Sequence, residues 1–399
     1  MFQLTASPAR RALEFGIFRD GDNNLDESQA LTLTQALDVS ARNPSVAFTV
    51  EDTTSRRGEL RTQEYHLVDG AVGDARTGAP HDMSSREDLA RFVARTLDNA
   101  ERDGATQTWI ELSDHGAGDG GGLEADSARG IMRIDDMAGA IVDGERLHAR
   151  AHPEDAARKV DGLVANQCLM ASLGFADSLS RAGVRFLAAS PETMISPGVP
   201  TTVAEAIAQH VDDPDAMSTA VVRNVMEFRY ATFDQGYGPA AAFDVLDLSP
   251  AKWNAIEGDL KAFNNDIAVA SAADREAVRN DAAGIDGMVR FPGSKGLPWH
   301  ADRPAIALYD AIGADGSLPL ELQNAARRVS ADVRATVLAH AESADVRAFG
   351  DANYSDAAGP TVHFPVSARE LDPWAPRVSE TNNRFYRAVD GEAVARAIA

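Results

Sequence analysis

The chain has 399 residues, 44% of them hydrophobic and 25% charged, a globular composition with enough apolar material for one large domain or two ordinary ones. Its 38 basic residues against 61 acidic ones leave a net charge of −23, which repels nucleic acid and anionic membrane surfaces, and the doublets Arg56-Arg57 and Arg327-Arg328 are too isolated to form a basic patch. A single cysteine, Cys168, excludes an intrachain disulfide and any multi-cysteine metal centre; Met1 to Phe18 lacks an apolar signal core and no run of 18 apolar residues occurs, so a cytoplasmic protein without a membrane partner is expected.

Ala12 to Phe18 alternates in polarity and breaks at Arg19-Asp20-Gly21-Asp22-Asn23-Asn24, which reads as a strand and a turn. In that turn Asp20, Asp22, Asn24 and Asp26 imitate the opening of a calcium loop. Leu25 and Leu31 stand where such a loop needs Gly and Glu, so a helix-capping turn is expected instead. A helix from about Asp26 to Ala41 should follow, then strands at 45–51 and 60–67. Ser84 with Glu87 fits a capping box, opening an amphipathic helix to about Asp103 that carries Leu89, Phe92, Val93 and Leu97 on one side.

Two short apolar runs come next, each ending in a reactive side chain. Thr108 to Leu112 delivers Ser113-Asp114-His115-Gly116, and after a Gly-rich loop and a helix near 135–147, Val160 to Ala165 delivers Asn166-Gln167-Cys168-Leu169-Met170-Ala171-Ser172 and a helical pattern through Leu179. Val184 to Ser190 is a further strand. Strands alternating with helices argue an α/β fold, a three-layer sandwich on a mostly parallel sheet. Beyond Pro197, helices are expected at 201–211, 214–229, 249–269, 271–283, 303–312 and 319–342, with strands only at 240–245 and 360–365. The chain thus divides into a sheet-bearing part, 1–245, and a helix-rich C-terminal subdomain, 246–399, packed on it.

His115 alone reads as a loop histidine and Cys168 alone as a small buried hydrophobe. Together, each just past the carboxyl end of a strand, they meet at the edge where open α/β sheets keep their sites. A thiol at a helix start has its thiolate favoured by the helix dipole, and an adjacent imidazole supplies acid and base, so the pair forms a Cys-His nucleophilic site. Gly116 to Gly121 satisfies G-x-G-x-x-G but runs into the acidic, aperiodic segment 123–130; a mobile loop or oxyanion backbone is expected there, not a nucleotide site. His148 and His152 share a helical face near Glu154 and Asp155. Ala149 occupies the place of the zinc-peptidase Glu and Pro153 breaks the helix, so they are expected to be a surface pair, with no metal. No G-x-S-x-G elbow occurs.

Ser113-Asp114-His115-Gly116, Asn166 to Ser172 and Ala188-Ala189-Ser190-Pro191-Glu192-Thr193 resemble the clostripain family of cysteine peptidases, in the caspase-like clan. Arg19 to Leu25, Phe243 to Ser249 and Gly359 to Pro365 extend the resemblance over most of the chain. It implies a caspase-like three-layer α/β/α sandwich with 1–245 as the catalytic domain, a dyad of His115 and Cys168, and an oxyanion hole from the N–H groups of Gly116 and Cys168. It further implies a protein or peptide substrate, no cofactor, and substrate contacts from Asn166, Ser190, Glu192, Thr193 and Ser196. Calcium dependence, self-cleavage between His115 and Cys168, and oligomeric state stay open. Relatives that cut after Arg or Lys carry acids where this chain has Asn166 and Ser196, so an uncharged polar residue is expected before the cut, with Arg or Lys next. Glu192, Asp161 and Asp114 are the substitute acids to consider. The competing readings are an inactive, peptidase-shaped binding or regulatory protein and an acyl- or transpeptidyl-transferase.

Overall fold

The computed structural model describes residues 11–56, 59–127, 130–230, 238–288, 301–343, 354–371 and 383–398. The apolar runs read above become β1 (Leu13–Gly21), β2 (Val46–Arg56), β5 (Gln107–Ser113), β8 (Gly162–Asn166) and β9 (Phe186–Ala189), which pair in parallel. Four antiparallel strands extend them: β3 (Glu59–Val68) and β4 (Ala71–Gly78) beside β2, and β10 (Ala242–Asp247) and β12 (Val337–Glu342) beside β9. The sheet runs β12-β10-β9-β8-β5-β1-β2-β3-β4. Two small antiparallel pairs stand apart from it, β6 (Gly122–Ala125) with β7 (Gly130–Met132) and β11 (Asp302–Pro304) with β13 (Thr361–His363).

Successive side chains of a strand point to opposite faces, and the central strands are apolar on both. Phe18, Ile110, Leu112, Leu163 and Ala165 face one core with α2 (Arg86–Asp103), α3 (Ile134–Ala151), α4 (Leu173–Ala182), α7 (Pro250–Val269), α8 (Ala272–Gly284), α9 (Ala305–Ala314) and α10 (Leu320–Arg334). Phe15, Ile17, Trp109 and Val164 face the other, covered by α1 (Thr32–Arg42), α5 (Val203–Ala208) and α6 (Pro214–Glu227). The fold is the expected three-layer sandwich. Trp109 stacks on Phe186 with ring centroids 5.8 Å apart, and a Cβ on Gly162 would lie 2.5 Å from the Trp109 ring, so β8 begins with glycine because the indole fills that space. Fully burying a large apolar side chain contributes about 1.5–3 kcal/mol, and Trp109, fully buried, belongs to the core on the Phe15 and Val164 face of the sheet.

Several boundaries differ from expectation. The helix after the first turn begins at Thr32, not Asp26, because Asp22, Asn23 and Asp26 are engaged with neighbouring elements. The cap of α2 is Ser85, whose side chain accepts from the Asp88 N–H, one residue beyond the Ser84/Glu87 box. The expected helix 319–342 stops at Arg334 and its last residues form β12. β4 was not anticipated: it is exposed and polar, but Asp69 and Gly70, at φ 52° and 75°, make the tight hairpin turn that Asp-Gly encodes. The division at 245/246 falls inside β10, and β12 brings the later part of the chain into the main sheet. Among the described residues no helix is long and apolar enough to cross a membrane.

Candidate active site

β5 and β8 are neighbours whose last residues, Ser113 and Asn166, lie side by side, so His115 and Cys168 leave the same edge of the sheet two residues later. Their loops are locked together. Gln167 donates through Nε2 to the His115 carbonyl at 2.8 Å, and a Cβ on Gly116 would collide with the Cys168 carbonyl and lie 2.8 Å from the Gln167 Cβ. Only glycine lets the histidine loop approach so closely. On the far side the cysteine loop is held by the Leu169 N–H on the Glu192 carbonyl (3.1 Å) and the Ala171 N–H on the Ser190 carbonyl (3.0 Å). Leu169 itself takes φ 67°, a left-handed conformation that a leucine adopts only where its surroundings impose it.

The thiol is not at a helix start, as the sequence suggested. α4 begins at Leu173, with Ser172 as its N-cap, and the dipole field fades within the first turn. Cys168 is half-buried and accepts from the Met194 N–H at 3.3 Å; burial pushes the thiol pKa up, and the Glu192 carboxylate adds to that. His115 pairs through Nε2 with the Asn24 side-chain oxygen at 2.7 Å, and no hydrogen bond joins it to Cys168. Sequence reasoning missed both partners, since Asn24 lies on another loop and Met194 contributes only backbone.

The expected substrate-binding residues line the turn beside the thiol. Ser190 and Glu192 are buried: the Ser190 hydroxyl donates to the Glu192 carbonyl (2.8 Å) and accepts from its N–H (3.1 Å), while the Thr193 N–H donates to Glu192 Oε1 (2.8 Å). Ser196 shares a hydrogen bond with Ser28. The Asn166 amide is fully engaged, donating to Glu111 Oε1 (3.0 Å), Ser113 Oγ (3.1 Å) and the Pro197 carbonyl (3.4 Å) and accepting from the Val199 N–H (2.8 Å). Beneath it, burial pushes Glu111 up to about 7 against the bond from Asn166. The only signal for Glu111 in the sequence is one acid inside the run Thr108-Trp109-Ile110-Glu111-Leu112. Asp161 is ruled out as a substitute acid, because it precedes β8 and lies at the opposite edge of the sheet, capping the Thr108 N–H at 3.0 Å. Asp114 is held by the Asn23 amide at 2.5 Å and by the Glu124 N–H.

No family model matches this chain, and no curated protein matches it in sequence. Solved structures do. A secreted C11 cysteine protease from Bacteroides thetaiotaomicron, iotapain, aligns with a TM-score of 0.64 at 13% identity, covering 96% of this chain and 100% of that one. The chain has the fold of the C11, or clostripain-family, cysteine proteases. The Bacteroides C11 protease in complex with an irreversible peptide inhibitor gives 0.61 at 14% identity, covering 96% of this chain and 99% of that one. An inactive zymogen C11 protease from Parabacteroides distasonis gives 0.57 at 13%, with 96% and 99% covered.

In this C11 fold the Gly-rich loop is not the mobile loop expected, and it leads into a hairpin. Gly118–Gly120 forms a short helical turn leading into the β6–β7 hairpin, and its Asp119 is buried, accepting from Ser172 Oγ (2.6 Å), the Phe175 N–H (3.2 Å) and the Tyr386 hydroxyl (3.0 Å). Burial pushes Asp119 up to about 6. The calcium-like turn is likewise committed within the protein: Asp20 accepts from the Asp22 N–H (2.8 Å), Asp22 from the Ser127 N–H (3.1 Å), Asn24 from His115, and Asp26 pairs with Arg19 (2.8 Å). His148 and His152 are no surface pair, for His148 is only 1% exposed and packs against α2.

Proposed function

We propose that the protein is a cysteine endopeptidase acting through His115 and Cys168. The observation that supports it most directly is the interlocked contact of their two loops at the carboxyl edge of the sheet, made by Gln167 and Gly116, in a chain with the C11 protease fold. The Cys168 thiolate attacks the substrate carbonyl carbon, forming a C–S bond. The N–H groups of Gly116 and Cys168 hold the oxyanion; the Gly116–Gly122 bridge is made by the Ala117 and Leu123 N–H groups, so the Gly116 N–H takes no part in it. His115 gives a proton to the leaving amine, and water, losing a proton to His115, releases the acyl group as a carboxylic acid.

Two hydrogen bonds must first exchange: His115 leaves Asn24, and the thiol leaves Met194. Peptide binding along the 190–196 turn supplies that exchange in our reading. Because the Asn166 amide is engaged internally and Ser196 bonds Ser28, we expect an uncharged polar residue before the cut, with Arg or Lys second.

The test is incubation of the purified protein with a diverse peptide mixture, with and without calcium, and mass-spectrometric mapping of new termini beside a Cys168→Ala control. Cleavage that the control abolishes is expected. Absence of cleavage, combined with no labelling of Cys168 by a peptidyl electrophile, overturns the reading in favour of an inactive binding protein.

A further inference from the structure

The carboxyl-terminal ends of α2 and α3 lie side by side on the sheet face that carries them, and five ionisable side chains converge there. His148 stands in the last turn of α3 and His152 caps it, so their rings stack at 5.0 Å with an interplanar angle of 16°. Each ring turns one nitrogen to the same carboxylate of α2: Asp98 Oδ1 is 2.6 Å from His148 Nδ1 and 3.4 Å from His152 Nε2. Each turns its other nitrogen to a further carboxylate, His152 Nδ1 to Glu101 at 2.6 Å and His148 Nε2 to Asp155 at 3.5 Å. That last nitrogen is buried and has no hydrogen-bond partner, on a side chain of zero exposure.

We infer that Asp98, His148 and His152 form a binding site for a divalent transition-metal ion of the zinc type. A neutral imidazole carries one N–H and one lone pair. If His152 donates from Nδ1 to Glu101, its Nε2 lone pair faces the Asp98 oxygen, an arrangement that a proton or a metal cation between them makes favourable. The same holds for His148 once its orphan Nε2 carries the hydrogen toward Asp155. Two imidazoles and one carboxylate are a donor set that suits zinc and not calcium or magnesium, which take oxygen. Glu101 and Asp155 then stand behind the ligating rings, as carboxylates do behind metal-bound histidines. The 3.4 Å between Asp98 Oδ1 and His152 Nε2 matches neighbouring ligands of a tetrahedral ion with bonds of about 2.0–2.1 Å. Opening of the shorter His148 contact completes the triangle, and water takes the fourth place. Two helix carboxyl ends add negative potential, and His152 and Asp98, at 32% and 40% side-chain exposure, leave a path for entry.

The site is structural in this reading, since it sits at the edge of the sheet opposite Cys168. It clamps α2 to the segment that leads into β8, where Arg158 already ties Asp155 to the Ala105 carbonyl at 3.0 Å, just ahead of β5. It does not depend on the peptidase reading.

The experiment uses full-length protein without an affinity tag, stripped by chelator and dialysed against zinc or cobalt chloride. One metal per chain is expected by elemental analysis, with cobalt giving the strong visible absorption of a tetrahedral site. Zinc at 100 times its Kd should raise Tm by roughly 3 °C. His152→Gln, at the half-exposed position, should fold and lose zinc affinity at least about 10-fold; His148→Gln is the second variant. The inference is overturned if zinc leaves Tm unchanged, if calcium gives the same shift, or if both variants bind zinc as the parent does.

Discussion

Asn166 holds together three strands of chain with one amide: β5 through Glu111 and Ser113, its own strand, and the 197–199 loop through the Pro197 carbonyl and the Val199 N–H. Its partner Glu111 has a pKa pushed up to about 7 by burial, against an ordinary 4.5. The folded protein therefore binds this proton more tightly than the unfolded chain. Below about pH 4.5 both states are protonated and the group costs nothing; between about 4.5 and 7 the unfolded state ionises first and stability falls; above 7 the loss is constant, up to about 3 kcal/mol. Glu111→Gln keeps an oxygen for the Asn166 amide and removes the titration. Its urea midpoint should match that of the parent near pH 4.5 and exceed it by a widening margin up to pH 7, then run parallel. Equal margins across that range would mean that Glu111 is not the buried proton reservoir described.

At the level of elements, the histidine loop, the cysteine loop and the C-terminal helix Arg384–Ala388 meet at Asp119. The Tyr386 hydroxyl donates to Asp119 Oδ2 and accepts from the His363 N–H at 2.7 Å, so it joins the loop beside the thiol to β13 as well. Tyr386→Phe keeps the ring packing and removes both bonds. A hydrogen bond to a charged group is worth about 1.5–3 kcal/mol, and the variant should lose about 2 kcal/mol in urea denaturation. Limited proteolysis should cut the C-terminal segment faster. An unchanged midpoint would show that Asp119 is satisfied without the tyrosine. β12 illustrates why elements can be misassigned: Val337 to Glu342 follows a helix without a Gly or Pro stop, and what turns it into a strand is the free edge of β10, with His340 bonding the Asp244 carboxylate at 2.9 Å.

For the whole molecule, the layer over α2, α3 and α4 is completed from beyond residue 245. Trp253, Phe263, Tyr309 and Phe385, all buried, belong to the same core cluster as Leu89, Leu163 and Phe175. A fragment ending at residue 245 would expose that face and leave the sheet without β12. It should aggregate or elute as an expanded species with reduced secondary structure by circular dichroism. A monomeric, cooperatively folding 1–245 fragment would establish instead that the C-terminal part is a separable subdomain.

The strands carrying His115 and Cys168 were legible because a buried parallel strand must be apolar on both faces and short, and because residues just past its end have nowhere else to go than the sheet edge. The antiparallel additions were less so: β4 is polar on an exposed edge, and β12 has helical spacing until a neighbour pairs with it. Within the site, the sequence by itself determined which residues stand at the edge: His115, Gly116, Asn166 and Cys168. The tertiary structure decided their states, for these depend on groups far away in the chain. Burial and the Met194 N–H set the thiol, Asn24 holds the imidazole, Glu111 binds Asn166, and α2 turns two neighbouring histidines into a converging donor set. Local pattern fixes where a backbone leaves a strand, whereas hydrogen-bond partners and desolvation are properties of the assembled core.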